Sequence, residues 1–542
     1  MQIIPPMPPR EQHEVPKYTK YAILGSDDSC FHLCNTLRPR MLKRLCQCIG
    51  LSSLILVVNY GDLLGGGSDV RMHYPRSLTG VCLASIADIL LLGVAIFLIL
   101  RPLERTRAYR WVRLVLAIAI PPYLLVRTQS ILPLQTLGSA VPLLMLAWGG
   151  ALLMLMLMFP VWYRVVMRFA SGLAACFAIF AFSSILQLLW IARWRPGAQQ
   201  IDAHWSQQQP PRQHPRLIWV VFDELSYDQV YEHRAKDLPL PSFDALRDQS
   251  TVFTNVQPSG IRTVKVIPSL FTGRVVDDFR YSLSNQLKVH YTGVPGWHPV
   301  TGRETVFGDA KAGGWRTAAV GWYNPYCTLY GDSLDQCYWS NHDKMDGPMV
   351  QSDPIWRNVA RPFVQMAREI QSPSKAEREL CTLDVQRRLV THLDLEQHSF
   401  DVLHGDQADF VYLHLAIPHS PNIWSRINDN YTGTCDSSYL DSLALADREL
   451  GRMMTILQGS PRWKDTTVII QGDHSWRTEI WDGLPAWTEE DDAASRDVFD
   501  PRPALIIHQP GQSKPEFNNT PWPLVQVHEV IEQTLKGQPV HY

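Results

Sequence analysis

Two apolar runs lie far apart in the chain, and each ends in residues able to hold a cation. Leu217-Ile218-Trp219-Val220-Val221-Phe222 ends in Asp223-Glu224, and Val468-Ile469-Ile470 ends in Gln471-Gly472-Asp473-His474. A strand without polar alternation has to be covered on both faces, as the central strands of a parallel α/β sheet are. In such sheets ligands bind outside the carboxyl ends of the strands. Three carboxylates and an imidazole converging there are donors suited to zinc, manganese or calcium. Either tip alone reads as an ordinary turn or helix cap.

Between the tips lies Ser259-Gly260-Ile261-Arg262-Thr263-Val264-Lys265-Val266-Ile267-Pro268-Ser269-Leu270-Phe271-Thr272-Gly273-Arg274. By itself Thr-Val-Lys-Val-Ile reads as a half-buried strand of β-branched residues. Taken with the two tips, the segment resembles the sulfatase-like branch of the alkaline-phosphatase superfamily. That branch sets a nucleophile ahead of a Pro-Ser…Thr-Gly-Arg stretch, between an acidic strand tip and a late Asp-His pair. Its sulfatases carry the nucleophile ten residues before the Gly of Leu-Thr-Gly-Arg, which here is Thr263. Its phosphoethanolamine transferases carry a catalytic Thr five residues before a Pro, which is again Thr263. The resemblance implies that Thr263 is the nucleophile and, with Asp223, Glu224, Asp473 and His474, a metal ligand. Sulfatases convert a Cys or Ser to formylglycine, and Thr cannot undergo that oxidation. A Thr hydroxyl activated by a metal can attack phosphorus directly.

A further run, Asp409-Phe410-Val411-Tyr412-Leu413-His414-Leu415, precedes Ala416-Ile417-Pro418-His419-Ser420-Pro421. Its loop resembles the family's Pro-His-x-Pro, whose His touches the transferred group, and this implies a catalytic role for His419. His414, inside the run, reads as structural. Tyr439–Arg452 has apolar positions at helical spacing, with its charges on a solvated face. The chain departs from the family at Asp473-His474-Ser475-Trp476-Arg477, where many relatives read Asp-His-Gly. The further His of the phosphoethanolamine transferases is also missing, and the next one, His508, reads as structural. Lys265 reads as exposed.

The first third is different in kind. Five apolar stretches, about Cys46–Leu64, Thr79–Leu100, Trp111–Leu132, Leu137–Val161 and Phe169–Trp190, approach the ~20 residues needed to cross a bilayer. Pro121-Pro122 breaks the third. Lys17, Lys20, Arg38, Arg40, Lys43 and Arg44 precede the first stretch; Arg101, Arg105, Arg107, Arg110 and Arg113 follow the second; Arg164 and Arg168 follow the fourth. The positive-inside rule then places the amino terminus in the cytoplasm and everything after Trp190 outside. Past the membrane stretches, Cys327 with Cys337 and Cys381 with Cys435 are the expected disulfides of an oxidising compartment. Cys30, Cys34, Cys46 and Cys48 are expected to be reduced or weakly constrained, and Cys82 and Cys176, inside apolar stretches, to act as small hydrophobes.

The expected fold is therefore an N-terminal multi-span α-helical membrane domain followed by an α/β extracytoplasmic domain of the alkaline-phosphatase/sulfatase-like type. Residues 1–45 are read as a cytoplasmic segment, 46–192 as the membrane domain, 193–215 as a Gln/Pro-rich linker and 216–542 as the catalytic domain. The expected enzyme is a phosphotransferase of the cell inner membrane with its catalytic domain in the periplasm. It carries zinc (manganese or calcium as alternatives) and moves a phosphoethanolamine- or phosphoglycerol-type head group from a membrane lipid donor to a cell-envelope glycan or lipid acceptor. A membrane-anchored hydrolase on the same site is the alternative, followed by a non-catalytic membrane protein with a degenerate enzyme domain. A net charge of −2, with no basic, aromatic-rich surface pattern, gives no sign of nucleic-acid binding.

Overall fold

The computed structural model describes residues 39–65, 72–127, 141–203, 214–342, 349–496 and 498–542. A nine-stranded mixed sheet forms the centre of the larger domain. In chain order its strands are β1 (Gln200–Ile201), β2 (Arg216–Asp223), β3 (Thr251–Phe253), β4 (Thr317–Gly321), β5 (Gln336–Trp339), β6 (Phe410–Pro418), β7 (Thr466–Gly472), β8 (Leu505–His508) and β9 (Glu516–Asn518). Side by side they run β1-β5-β4-β6-β2-β7-β8-β3-β9. The five from β5 to β7 are parallel to one another, while β8 pairs antiparallel on both sides.

The continuous apolar runs lie where their composition requires. Along β2, Ile218, Val220 and Phe222 enter the core on one face of the sheet, and Leu217, Trp219 and Val221 enter the core on the other. Full burial of such side chains contributes about 1.5–3 kcal/mol each. β2 and β7 are direct neighbours, with Phe222 opposite Gly472, so Asp223 and Asp473 leave the sheet side by side.

Five helices precede the sheet domain: α1 (Pro39–Gly65), α2 (Thr79–Leu103), α3 (Ala108–Arg127), α4 (Val141–Met158) and α5 (Pro160–Ile191). They fall on the five apolar stretches of the sequence, and α2 and α5 are long and apolar enough to cross a membrane. The expected break at Pro121-Pro122 does not occur, because α3 continues to Arg127. Proline removes a backbone donor without forbidding the helical φ, so a helix can continue through it at some cost.

The helical and sheet domains are fastened together. Met72 is buried in the sheet domain's core, the adjacent His73 donates from Nδ1 to the Tyr323 carbonyl (2.6 Å), and Trp194 Nε1 donates to Asn285 Oδ1 (2.9 Å). Between β5 and β6 the chain forms two further helices, α7 (Ile355–Gln371) and α8 (Pro373–Gly405), numbered after α6 (Thr263–Thr272); α9 spans Tyr439–Gly459. Both expected disulfides are present, Cys327–Cys337 and Cys381–Cys435. Cys46, Cys48, Cys82 and Cys176 are free, and Cys30 and Cys34 lie outside the described residues.

α8 buries His392, whose pKa is pushed down to about 3 by burial first, then by Arg388 and Arg452. The folded state therefore binds fewer protons here than the unfolded chain, whose imidazole titrates near ~6.5. Stability contributed by neutral His392 is complete above that value and is lost as pH falls from about 6.5 towards about 3. His392→Phe should flatten this part of the acid limb, read as thermal midpoint against pH.

Candidate active site

Asp223, Asp473 and His474 present donor atoms that all lie within 4.8 Å of one another at the carboxyl ends of β2 and β7. All three are buried at 0 % exposure. His474 Nε2 lies 3.3 Å from Asp473 Oδ2 and 3.8 Å from Asp223 Oδ1. Its Nδ1 proton is given to the Ser475 carbonyl (3.0 Å), which leaves Nε2 free as a lone-pair donor. Gly472 is required by close approach, since a Cβ there would stand 2.5 Å from the Leu225 carbonyl oxygen.

Thr263 joins this cluster. It is the first residue of α6, buried, and its Oγ donates to Asp223 Oδ2 (3.3 Å) and lies 3.4 Å from His474 Nε2. The segment is a helix, not the half-buried strand that its β-branched composition alone would give. Gly273 ends that helix in the left-handed region (φ 67°), which explains the Thr-Gly-Arg sequence as a C-terminal cap. The hydroxyl sits at the positive end of the helix dipole, where negative charge on oxygen is favoured. Lys265 points elsewhere and bonds the Asp277 carbonyl.

The electrostatics of the cluster call for a cation. Burial, then the facing Asp473 carboxylate, raise the Asp223 pKa well above the ordinary value. Burial opposes ionisation of Asp473 too, yet His474 and His414 hold it below the usual carboxylate range. Asp223 Oδ1 and Asp473 Oδ2 are buried without a hydrogen bond. Two orphaned carboxylate oxygens, a free imidazole nitrogen and a hydroxyl form a donor set that fits zinc or manganese. The two other groupings of possible ligands among the described residues look different. Asp228 and Asp500 are paired with Arg496 and Arg502, and Glu532 with Lys536.

Glu224 is not in the cluster. Its backbone turns through the left-handed region (φ 66°), held by its N–H on Asp473 Oδ1 (3.2 Å) and its carbonyl on the Tyr439 hydroxyl (2.6 Å). Its carboxylate takes Arg477 Nε and the Trp481 indole N–H (2.9 Å). Arg477 also donates from Nη2 to His419 Nε2 (2.9 Å), while the Nδ1 proton of His419 goes to the Ser420 carbonyl. Burial, then Arg388 and Arg477, push His419 well below its ordinary pKa, so it is neutral. Arg388 of α8 lies over the Trp322 ring (4.2 Å) and donates to the Ala416 carbonyl (2.6 Å), fastening the loop that carries His419. His414 is structural in its contacts: Nδ1 meets the Tyr326 hydroxyl at 2.6 Å, although Nε2 stands 3.6 Å from Asp223.

Sequence reasoning missed Arg388, Arg477, Trp322 and Trp481. Only Arg477 left a sequence signal, as the departure from Asp-His-Gly. Arg477→Ala should leave bound metal unchanged, because it touches Glu224 and His419 and no member of the cluster. Asp473→Asn should remove it, as measured by elemental analysis of the purified protein.

Residues 215–516 match the Sulfatase family. No curated protein matches the chain. Solved structures similar to it include the lipoteichoic acid synthase LtaP from Listeria monocytogenes (16% identity, TM-score 0.36), with 60% of this chain and 72% of that one covered. PsFucS1 sulfatase from Pseudoalteromonas sp. is 16% identical with a TM-score of 0.38, covering 60% and 68%. The phosphonate monoester hydrolase of Agrobacterium radiobacter is 12% identical with a TM-score of 0.35, covering 60% and 74%. Because the family match spans more than half of the chain, this protein belongs to the sulfatase family and is an enzyme of the alkaline-phosphatase superfamily.

Proposed function

We propose that this enzyme is a membrane-anchored, metal-dependent phosphotransferase in which Thr263 takes a phosphoester head group from a lipid donor. The observation that carries the reading is a Thr, not a Cys or Ser, at the start of α6 with its hydroxyl against Asp223 and His474. Asp223, Thr263, Asp473 and His474 would hold the metal, with zinc favoured by the imidazole and manganese or calcium as alternatives. A bound divalent ion would neutralise the two carboxylates, lower the pKa of the Thr263 hydroxyl and polarise the phosphoryl group.

The residues divide the remaining work. Thr263 Oγ attacks phosphorus, the bond from phosphorus to the lipid oxygen breaks, and the hydroxyl proton ends on the released lipid alcohol. The product is a phosphothreonine diester. An acceptor hydroxyl then attacks the same phosphorus and restores Thr263. Arg477 caps Nε2 of neutral His419, so this nitrogen would take the acceptor's proton only once the arginine turns to the transferred group. Arg477 supplies positive charge beside it.

Supporting the membrane reading, α2 and α5 meet the length and composition of spans. The arginines after Leu100 lie at the end of α2 remote from Thr79, which matches a cytoplasmic loop. Disulfides in the sheet domain match an oxidising, extracytoplasmic location.

Zinc-loaded enzyme incubated with phosphatidylethanolamine or phosphatidylglycerol should gain the mass of one head-group phosphate on Thr263. Thr263→Ala should gain none and lose turnover by about 10³-fold or more. Turnover of phosphodiesters without an adduct, with water as the acceptor, would establish the hydrolase instead.

A further inference from the structure

The apolar face of α7 is wider than its protein partner covers. On a helical projection of about 100° per residue, Pro362, Met366, Val359 and Phe363 form one side. Val359, Phe363 and Met366 pack into the cluster that includes Val81, Cys82 and Ile89 of α2. The apolar arc continues past this contact through Trp356, Ala360, Val364 and Ala367, spaced by four, four and three residues. That continuation is uncovered: Trp356 is 67 % and Val364 49 % exposed. The opposite side carries Arg357, Arg361, Gln365 and Arg368. These cations are already engaged, Arg357 and Arg361 by Asp353 and Arg368 by Glu379.

Position along α2 identifies what covers the strip. The buried α2 residues of this cluster run from Val81 to Ile89, within about 15 Å of the outer end of α2 at Thr79. That distance is half of a hydrocarbon core of ~30 Å, on the side of the sheet domain. The outward face of α2 over the same turns is also bare and apolar, with Leu83 37 %, Leu90 40 % and Leu91 57 % exposed. The strip on α7 therefore adjoins a surface that only lipid satisfies once α2 crosses a bilayer. A polar face rich in arginine with Trp at the apolar edge is the composition of a helix lying in the membrane interface.

We propose that α7 is an interfacial helix, with its Trp356–Val364 strip in the headgroup–acyl boundary of the leaflet that faces the catalytic domain. This rests on the membrane reading of α2 and adds a docking surface for lipid within the catalytic domain itself. Only Ser372 separates α7 from α8, whose Arg388 fastens the His419 loop. The lipid-facing helix is thus one residue away from the helix that holds the His419 loop.

The test uses the full chain in lipid nanodiscs. The six cysteines outside the disulfides are replaced by Ala, and nitroxide labels are placed by Trp356→Cys, Val364→Cys, Leu91→Cys and Ile427→Cys in separate proteins. Ile427, 90 % exposed, is the water reference and Leu91 the lipid reference. Collision with oxygen relative to a nickel chelate should be several-fold higher at 356 and 364 than at 427, and close to the value at 91. Values at 356 and 364 equal to that at 427, with 91 reading lipid, overturn the interfacial helix and leave the span intact. A water-like value at 91 overturns both. Low access to both reagents at 356 and 364 would mean that protein, a second copy or another partner, covers the strip, and overturns it too.

Discussion

Asp223 and Asp473 face each other, fully buried, at the ends of adjacent parallel strands, and the rest of the site is arranged around that conflict. Two like charges so placed cannot both persist unless a cation joins them. Burial drives Asp223 towards the neutral form, while Asp473, beside His474 and His414, stays below the usual carboxylate range. The β2–β7 register determines that the carboxylates emerge together. Gly472 permits the close approach of the Leu225 backbone, and α6 brings the Thr263 hydroxyl against Asp223. Buried carboxylate oxygens without hydrogen bonds are a local cost, as is common at functional centres.

A second layer holds this arrangement by way of Glu224. Its left-handed turn is fixed at both ends, by Asp473 and by Tyr439. Tyr439 is in turn stacked on Trp476 at 4.3 Å. The departure from Asp-His-Gly thus has a structural consequence: Trp476 braces the residue that orients Glu224, and Arg477 joins Glu224 to His419. One short stretch after the Asp-His pair organises both carboxylate layers.

Much of this was legible before any coordinates. β2, β6 and β7 are recognisable because strands covered on both faces read as nearly continuous apolar runs. The disulfides followed from four cysteines past the membrane stretches. α6 was ambiguous, because four β-branched residues in a run of five satisfy a strand or a buried helix equally. The Glu224–Arg477 pair spans 253 residues and the Arg388 clamp reaches across 28, with no local pattern to announce either.

The sequence by itself determined which chemistry was available: apolar runs that must be covered on both faces, acids at their ends, and a Thr where a formylglycine precursor would stand. Tertiary structure decided which of these groups meet. It placed Glu224 against Arg477 and left Asp223, Thr263, Asp473 and His474 facing one another. The reason is geometric. Side-chain type is a local property, but the direction of a carboxylate depends on backbone turns and partners supplied by strands and helices hundreds of residues away.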